Sequence, residues 1–392
     1  MSHYRYVIIG GGMTGDAAVR GIREEDHTGT IGMISAESHP PYNRPPLSKS
    51  LWTGQSVDKV WRHTESLGVD ILLGRTASTL DPAGRRVVDD RGSAHTFEKL
   101  LLATGGSPRR LPFGGDHVIY FRSLNDYERL RGLADRGRKF AVIGGGFIGS
   151  EIAAALTMNG KDVAMLFPDD GIGARIFPAG LSKSLNEYYR SKGVEVLTGE
   201  TVVDLETQGD VRRLKTKSGR LIEADGAVAG IGIQPNTDLA QAAGLRVDNG
   251  ILVDEFLNAG HPDIFAAGDV ARFHNPALGT RMRVEHEDNA NTMGKTAGVN
   301  MAGRPTPYHH LPFFYSDLFD MGYEAVGELD QRLTVVEDWK KPYEEGVVYY
   351  LRDGRVRGVL LWNVWGQVDT ARALIAESGP LGPADVKGRI RS

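Results

Sequence analysis

Cysteine is absent from all 392 positions of this chain. That removes disulfides, thiolate metal sites and cysteine nucleophiles together. No run of 18 apolar residues occurs, so no segment reads as a membrane-spanning helix. An excess of basic charge is missing too. Lys and Arg number 46 against 50 Asp and Glu, a net charge of −4, and a surface for nucleic-acid phosphates wants the opposite balance. Low-complexity tracts and long linkers are lacking. The start, MSHYRYVIIGGG, enters an apolar strand at once and leaves no room for a signal peptide. The expectation is a cytoplasmic protein without a nucleic-acid partner or a membrane span, long enough for two or three domains with cores of their own.

Glycine is plentiful, and its spacing carries the argument. Tyr6 to Ile9 reads as a buried parallel strand. Gly10, Gly12 and Gly15 then give G-x-G-x-x-G. The first glycine permits a tight turn, the second lets a pyrophosphate approach the backbone, and the third lets helix and strand pack closely. A helix over about Thr14 to Arg23 points its positive end at that pyrophosphate. The strand TIGMIS ends just before Glu37, 22 residues past Gly15 and near the spacing of a ribose-hydroxyl acceptor. The whole unit recurs with Gly144, Gly146 and Gly149, and Asp169 follows the next strand 20 residues after Gly149. Two such units imply two dinucleotides on one chain. The economical pair is a flavin that stays and a nicotinamide that visits, because hydride passes between them.

Three further strand ends carry glycine turns: LLATGGSPR with Thr104 and Gly105, AVAGIGIQPN with Gly232, and IFAAGDVARF with Gly268 and Asp269. The first two are expected to mark crossings between domains, and Asp269 to accept from ribityl hydroxyls. The expected fold class is α/β: two Rossmann-like dinucleotide-binding domains plus a smaller C-terminal α/β domain. The boundaries are 1–112 with 238–309 for a discontinuous FAD domain, 113–237 for the NAD(H) domain, and 310–392 for a C-terminal domain of antiparallel strands and a helix.

PYNRPPLSKSLW, residues 41–52, places three prolines beside Arg44 and Lys49. The prolines fix φ and remove donors, so the loop is stiff before any ligand arrives and loses little further entropy on binding. Together with GGGFIGSE, LFPDDGIGARIFP, RVEHEDNA, FYSDLFDMGYEAVG and VVYYLRDGRVRGVLLWN, this loop resembles the pyridine nucleotide–disulfide oxidoreductase superfamily. Within it, the likeness is to the ferredoxin-reductase and apoptosis-inducing-factor-like NADH oxidoreductase branch, over nearly the whole chain. The superfamily's disulfide reductases carry a redox Cys pair just ahead of a Pro-Ser-Lys sequence. The corresponding place here reads RPPLSK without cysteine, so electrons are expected to leave the flavin for an external acceptor. A long polar insertion of the eukaryotic factor and a mitochondrial presequence are not expected here, and its apoptotic role is not carried over.

The resemblance implies bound FAD and visiting NAD(H), with Arg44 at a phosphate or the flavin edge. It places Lys49 at the reactive N5 edge, paired with Glu151. Those two are the expected catalytic residues. Phe147, inside the second glycine motif, either covers the flavin or nicotinamide or packs in the core. Glu285 and His286 match positions beside nicotinamide and flavin, and Tyr315 stands where the family has an aromatic. Glu285, His286, Glu287 and Asp288 are consecutive and cannot converge on one ion. They read as the start of a helix aimed at the flavin's pyrimidine edge. His309 and His310 give no ligand spacing, so no metal is expected.

The expected activity is hydride transfer from NADH to FAD, then electron transfer to ferredoxin, rubredoxin, a quinone, a dye or dioxygen, by a monomer or homodimer. Two alternatives stand beside it: a redox sensor acting through a stable reduced flavin–NAD complex, and a monodehydroascorbate-type reductase. Asp169, with Asp170 beside it, favours NADH, because a carboxylate there repels the 2′-phosphate of NADPH. The nearest cation, Arg175, lies six residues on in a loop able to place it elsewhere.

Overall fold

Both glycine motifs fold as strand, turn, helix and strand in the computed structural model, which describes residues 2–391. Strand Ser2–Ile9 runs into Gly10, helix Met13–Glu25 follows, and strand Ile31–Ser35 returns parallel to the first with Ile9 beside Ile34. Strand Lys139–Ile143, helix Phe147–Met158 and strand Asp162–Phe167 repeat the pattern, with Leu166 beside Ile143. All five residues of Ile31–Ser35 are buried, as a strand covered on both faces requires.

The chain divides into two compact units. The first takes the chain through Asn43 with Ser56–Ser107 and Gln234–Pro312. Its central sheet is parallel, running Ile264–Ala266, Ala94–Leu102, Ser2–Ile9, Ile31–Ser35, Val69–Leu73. Helix Met13–Glu25 lies against helix Glu287–Met301 at backbone distance. A β-carbon on Gly294 would stand 2.5 Å from the Thr14 carbonyl oxygen, and one on Gly298 would overlap the carbonyl of Ala18. The small residues of ANTMGKTAGVNMAG are therefore the ones this contact admits.

The second unit takes Arg44–Gln55, Pro108–Ile233 and the chain from Phe313 onward. One sheet is a five-stranded parallel layer ordered Val194–Thr198, Asp162–Phe167, Lys139–Ile143, Gly226–Ala229, Val118–Tyr120. Another is a five-stranded antiparallel layer ordered Phe313–Leu318, Met321–Gly327, Arg355–Trp362, Glu345–Arg352, Thr334–Lys341, followed by helix Val368–Ala376. The proline loop forms two short 3₁₀ turns, Pro45–Ser48 and Ser50–Trp52, closed by Trp52 Nε1 donating to the Leu47 carbonyl at 2.8 Å. Among the described residues no helix is long and apolar enough to cross a membrane.

Candidate active site

Five of the six motif glycines divide by what a side chain would meet. Gly10 has φ +125° and Gly144 φ +117°, a region that L side chains rarely adopt. Their β-carbons would overlap the carbonyls of Ala103 and Gly230. β-Carbons on Gly15 and Gly149 would overlap the carbonyls of Gly10 and Gly144. The fold itself demands those four. Gly12 and Gly146 are N-caps in extended backbone. A β-carbon on Gly146 would meet nothing within 4 Å. The protein leaves open space there, and such space at a helix start fits a dinucleotide pyrophosphate.

In the first unit, Glu37 is half-buried just past strand Ile31–Ser35 and accepts from the Tyr42 hydroxyl at 2.5 Å. Gly268 has φ +76° and presses on Thr14 of the first motif helix. Asp269 beside it is half-buried, and its carbonyl accepts from Arg283 Nη1 at 3.0 Å. Arg283 also pairs with Glu285 at 2.6 Å. His286 is the N-cap of helix Glu287–Met301. Thr104 Oγ1 donates to the Asn236 carbonyl at 2.7 Å, and Asn236 Nδ2 and backbone N–H return bonds to the carbonyls of Thr104 and Gly105. The units part directly after Ser107 and after Ile233. One pairing escaped the sequence: His310 Nε2 lies 2.6 Å from Asp288 Oδ2.

In the second unit, Glu151 sits in the first turns of helix Phe147–Met158 and is 6% exposed. Its carboxylate meets the Lys49 ammonium. Ser48 Oγ donates to Oε2 at 2.6 Å and Ser316 Oγ to Oε1 at 2.6 Å. Lys49 also stands 3.8 Å from Asp317 and 5.4 Å from the Tyr315 ring centroid. Buried charges are tolerated when paired and hydrogen-bonded, and here three donors converge on one carboxylate. Burial pushes the phenols of Tyr189 and Tyr323 well above their ordinary range, and the nearby Glu151 carboxylate adds to the shift. Arg44 Nη1 donates to the Arg122 carbonyl at 2.8 Å. Phe147 is half-buried and meets Phe314 edge to face at 5.4 Å. The carbonyl of Gly232, φ +90°, accepts from the Arg109 N–H at 2.9 Å.

Ser48 is a neighbour of Lys49 in sequence. Ser316 is 165 residues from Glu151, and no local pattern signals it. Asp169 follows strand Asp162–Phe167 as expected. Arg175 is not elsewhere: its Nε lies 3.6 Å from Asp169 Oδ2. The turn carrying it is held by Gly173 N–H on the Gly145 carbonyl, Ile172 N–H on Asn186 Oδ1 and the Tyr350 hydroxyl on the Ile176 carbonyl.

A sequence model of the pyridine nucleotide-disulphide oxidoreductase family matches residues 4–294. One of the apoptosis-inducing factor, mitochondrion-associated, C-terminal region matches 297–343 and 335–377. Apoptosis-inducing factor 1, mitochondrial, of Dictyostelium discoideum is 35% identical over 96% of this chain and 79% of its own length. The ferredoxin reductase subunit of the 5,5′-dehydrodivanillate O-demethylase of Sphingobium is 32% identical over 96% and 94%. In the crystal structure of the covalent putidaredoxin reductase–putidaredoxin complex, the matching chain superposes with a TM-score of 0.90 at 29% identity, covering 98% of this chain and 95% of that one.

Proposed function

This chain belongs to the pyridine nucleotide-disulphide oxidoreductase family, and from that premise we propose that it is an FAD-dependent NADH oxidoreductase of the ferredoxin-reductase type, working in the cytoplasm. FAD, when bound, supplies the hydride acceptor and the outlet for electrons. The observation that carries the reading is the pair of glycine turns built alike at 10–15 and 144–149. In this reading residues 1–112 with 238–309 hold FAD, residues 113–237 hold NADH, and residues 310–392 cover the reacting edge.

Each group on the chain then has a task. The helix starts at Gly12 and Gly146 face the two pyrophosphates with backbone N–H groups and positive dipole ends. Glu37 and Asp169 accept from ribose hydroxyls, and Asp269 from ribityl hydroxyls. Thr104, Gly105 and Gly232 shape the backbone at the crossings. Arg44 supplies positive charge at the FAD edge. Lys49, with Glu151 offsetting its charge, stands where hydride is exchanged. Phe147 and Tyr315 screen that place from water. Glu285 and His286, at the start of helix Glu287–Met301, keep the positions beside nicotinamide and flavin that the family resemblance implies.

With no cysteine to take them, the electrons go to an external acceptor. The likeness to a ferredoxin reductase subunit and to putidaredoxin reductase supports a small iron–sulfur carrier. The test is NADH oxidation by the FAD-loaded protein against ferredoxins, rubredoxins, quinones, monodehydroascorbate and dioxygen. Fast turnover with a ferredoxin is expected. A protein that does not retain FAD overturns the reading. Turnover with none of them, together with a persistent long-wavelength absorbance after NADH, makes the chain a sensor instead.

A further inference from the structure

The buried carboxylate of Glu151 is the meeting point of three segments. Ser48 and Lys49 come from the proline loop, Glu151 from the helix after the second glycine turn, and Ser316 from strand Phe313–Leu318. That strand lies at the edge of its sheet. Its residues 315–317 divide the work: Ser316, 1% exposed, donates to Glu151, while Tyr315 and the exposed Asp317 flank the Lys49 ammonium. Ser316 and Lys49 share one oxygen, Oε1, while Ser48 holds the other. The carboxylate plane is fixed by the two hydroxyls, and the place of the ammonium follows from it. Lys49 also has a second carboxylate within reach, Asp317 at 3.8 Å, on the solvent side.

We propose that Ser316 is a positioning residue for the reaction: its hydroxyl pins Glu151 Oε1, and through it holds the Lys49 ammonium inward rather than on Asp317. This rests on the reading of Lys49 as the cation beside the hydride-exchange position. Without the Ser316 hydroxyl, Oε1 loses a donor and the carboxylate can rotate about its Ser48 anchor. The ammonium then swings toward Asp317. The departing cation and the less shielded anion act in the same direction, making addition of negative charge to the flavin harder.

The experiment compares Ser316→Ala, Ser316→Thr and Ser316→Ala combined with Lys49→Met in the FAD-loaded full chain. Ser316→Ala is expected to slow flavin reduction about ten- to a hundredfold, the usual cost of misplacing a reacting group through its support, with the NADH KM within about twofold. The midpoint potential of the flavin should fall, and Ser316→Thr should restore both rate and potential. Adding Ser316→Ala to Lys49→Met should cost almost nothing more, because the two act in series. A thermal-melting cycle on the flavin-free chain, pairing Ser316→Ala with Glu151→Gln, should show coupling between the two sites. Wild-type potential and reduction rate in Ser316→Ala, whatever its melting temperature, would reduce Ser316 to a packing residue. Additive rate losses with Lys49→Met would overturn the route through Lys49. A wild-type chain that does not bind FAD defeats the proposed function instead, so the two failures are distinct.

Discussion

At the scale of the residue, the proposed function makes charge placement govern both the chemistry and the choice of donor. Lys49→Ala is expected to slow reduction or reoxidation of the flavin more than it weakens FAD retention, measured by stopped-flow absorbance beside denaturant extraction. It also strands Glu151, a loss of about 3–5 kcal/mol for a buried pair broken on one side. Lys49→Ala with Glu151→Ala should therefore recover stability without recovering rate. Equal rates in both variants and wild type would place the pair away from the flavin. NADH is expected to be preferred over NADPH by at least about tenfold in kcat/KM, equivalent to roughly 1.4 kcal/mol. The contact of Arg175 with Asp169 refines this expectation. If Asp169 is the ribose acceptor, Arg175 beside it is within reach of a 2′-phosphate, so Arg175→Ala should widen the preference and Asp169→Ala should narrow or invert it. Side-by-side kinetics with both coenzymes check the order, and a preference that shrinks in Arg175→Ala would contradict it.

Among the elements, the glycine turns separate what folding needs from what binding needs. Gly149→Ala drives a β-carbon into the Gly144 carbonyl and should cost about 1–3 kcal/mol or more as overpacking. Gly146→Ala meets no protein atom within 4 Å. It should melt within a few degrees of wild type yet bind NADH at least about tenfold more weakly, read by titration calorimetry. Equal binding would remove the pyrophosphate from that turn. These turns were legible because strand, glycine spacing and helix are one local pattern, whereas the C-terminal region was read only in outline, as antiparallel strands and a helix. The helix contact through Gly294 and Gly298 was legible only as small-residue composition; its partner, Met13–Glu25, lies some 270 residues earlier. Ser316 and the Asp288–His310 pair were not legible at all, since a serine in a strand or a histidine in a loop carries no sign of a distant carboxylate. Arg175 was visible, but which way its turn folded depended on Gly145, Asn186 and Tyr350.

For the whole molecule, carboxylates held below their ordinary range are expected to set the acid limit. Asp16 is fully buried. Burial alone would raise its carboxyl, but hydrogen bonds from Arg20 and Thr64 and the charge of Arg62 outweigh that and hold it low. Arg62 in turn reaches Asn43 and Asn291, so the pair ties the start of helix Met13–Glu25 to two distant segments. At Asp26 burial is likewise outweighed, by the N–H groups of Gly29 and Thr28 and the Tyr6 hydroxyl, and the carboxyl falls to about 2. An unfolded aspartate titrates near about 4. Above that pH both states are ionised and the stabilisation is complete. As pH falls from about 4 to about 2 the unfolded chain takes the proton first, and the stabilisation is lost. Asp26→Asn should thus be less stable than wild type at neutral pH, with the gap closing over that window in urea titrations. A gap that stays constant would rule out the carboxylate as its source. The Glu151 cluster adds a constraint of a different kind, one of timing. A chain growing from its N-terminus makes Ser48 and Lys49 first and Glu151 about a hundred residues later, but Ser316 only after 165 more. Contacts so distant in sequence close late. Until that strand emerges from the ribosome and docks, the carboxylate holds an incomplete set of donors, so under the proposed role of Lys49 competence for hydride exchange is among the last properties the new chain acquires.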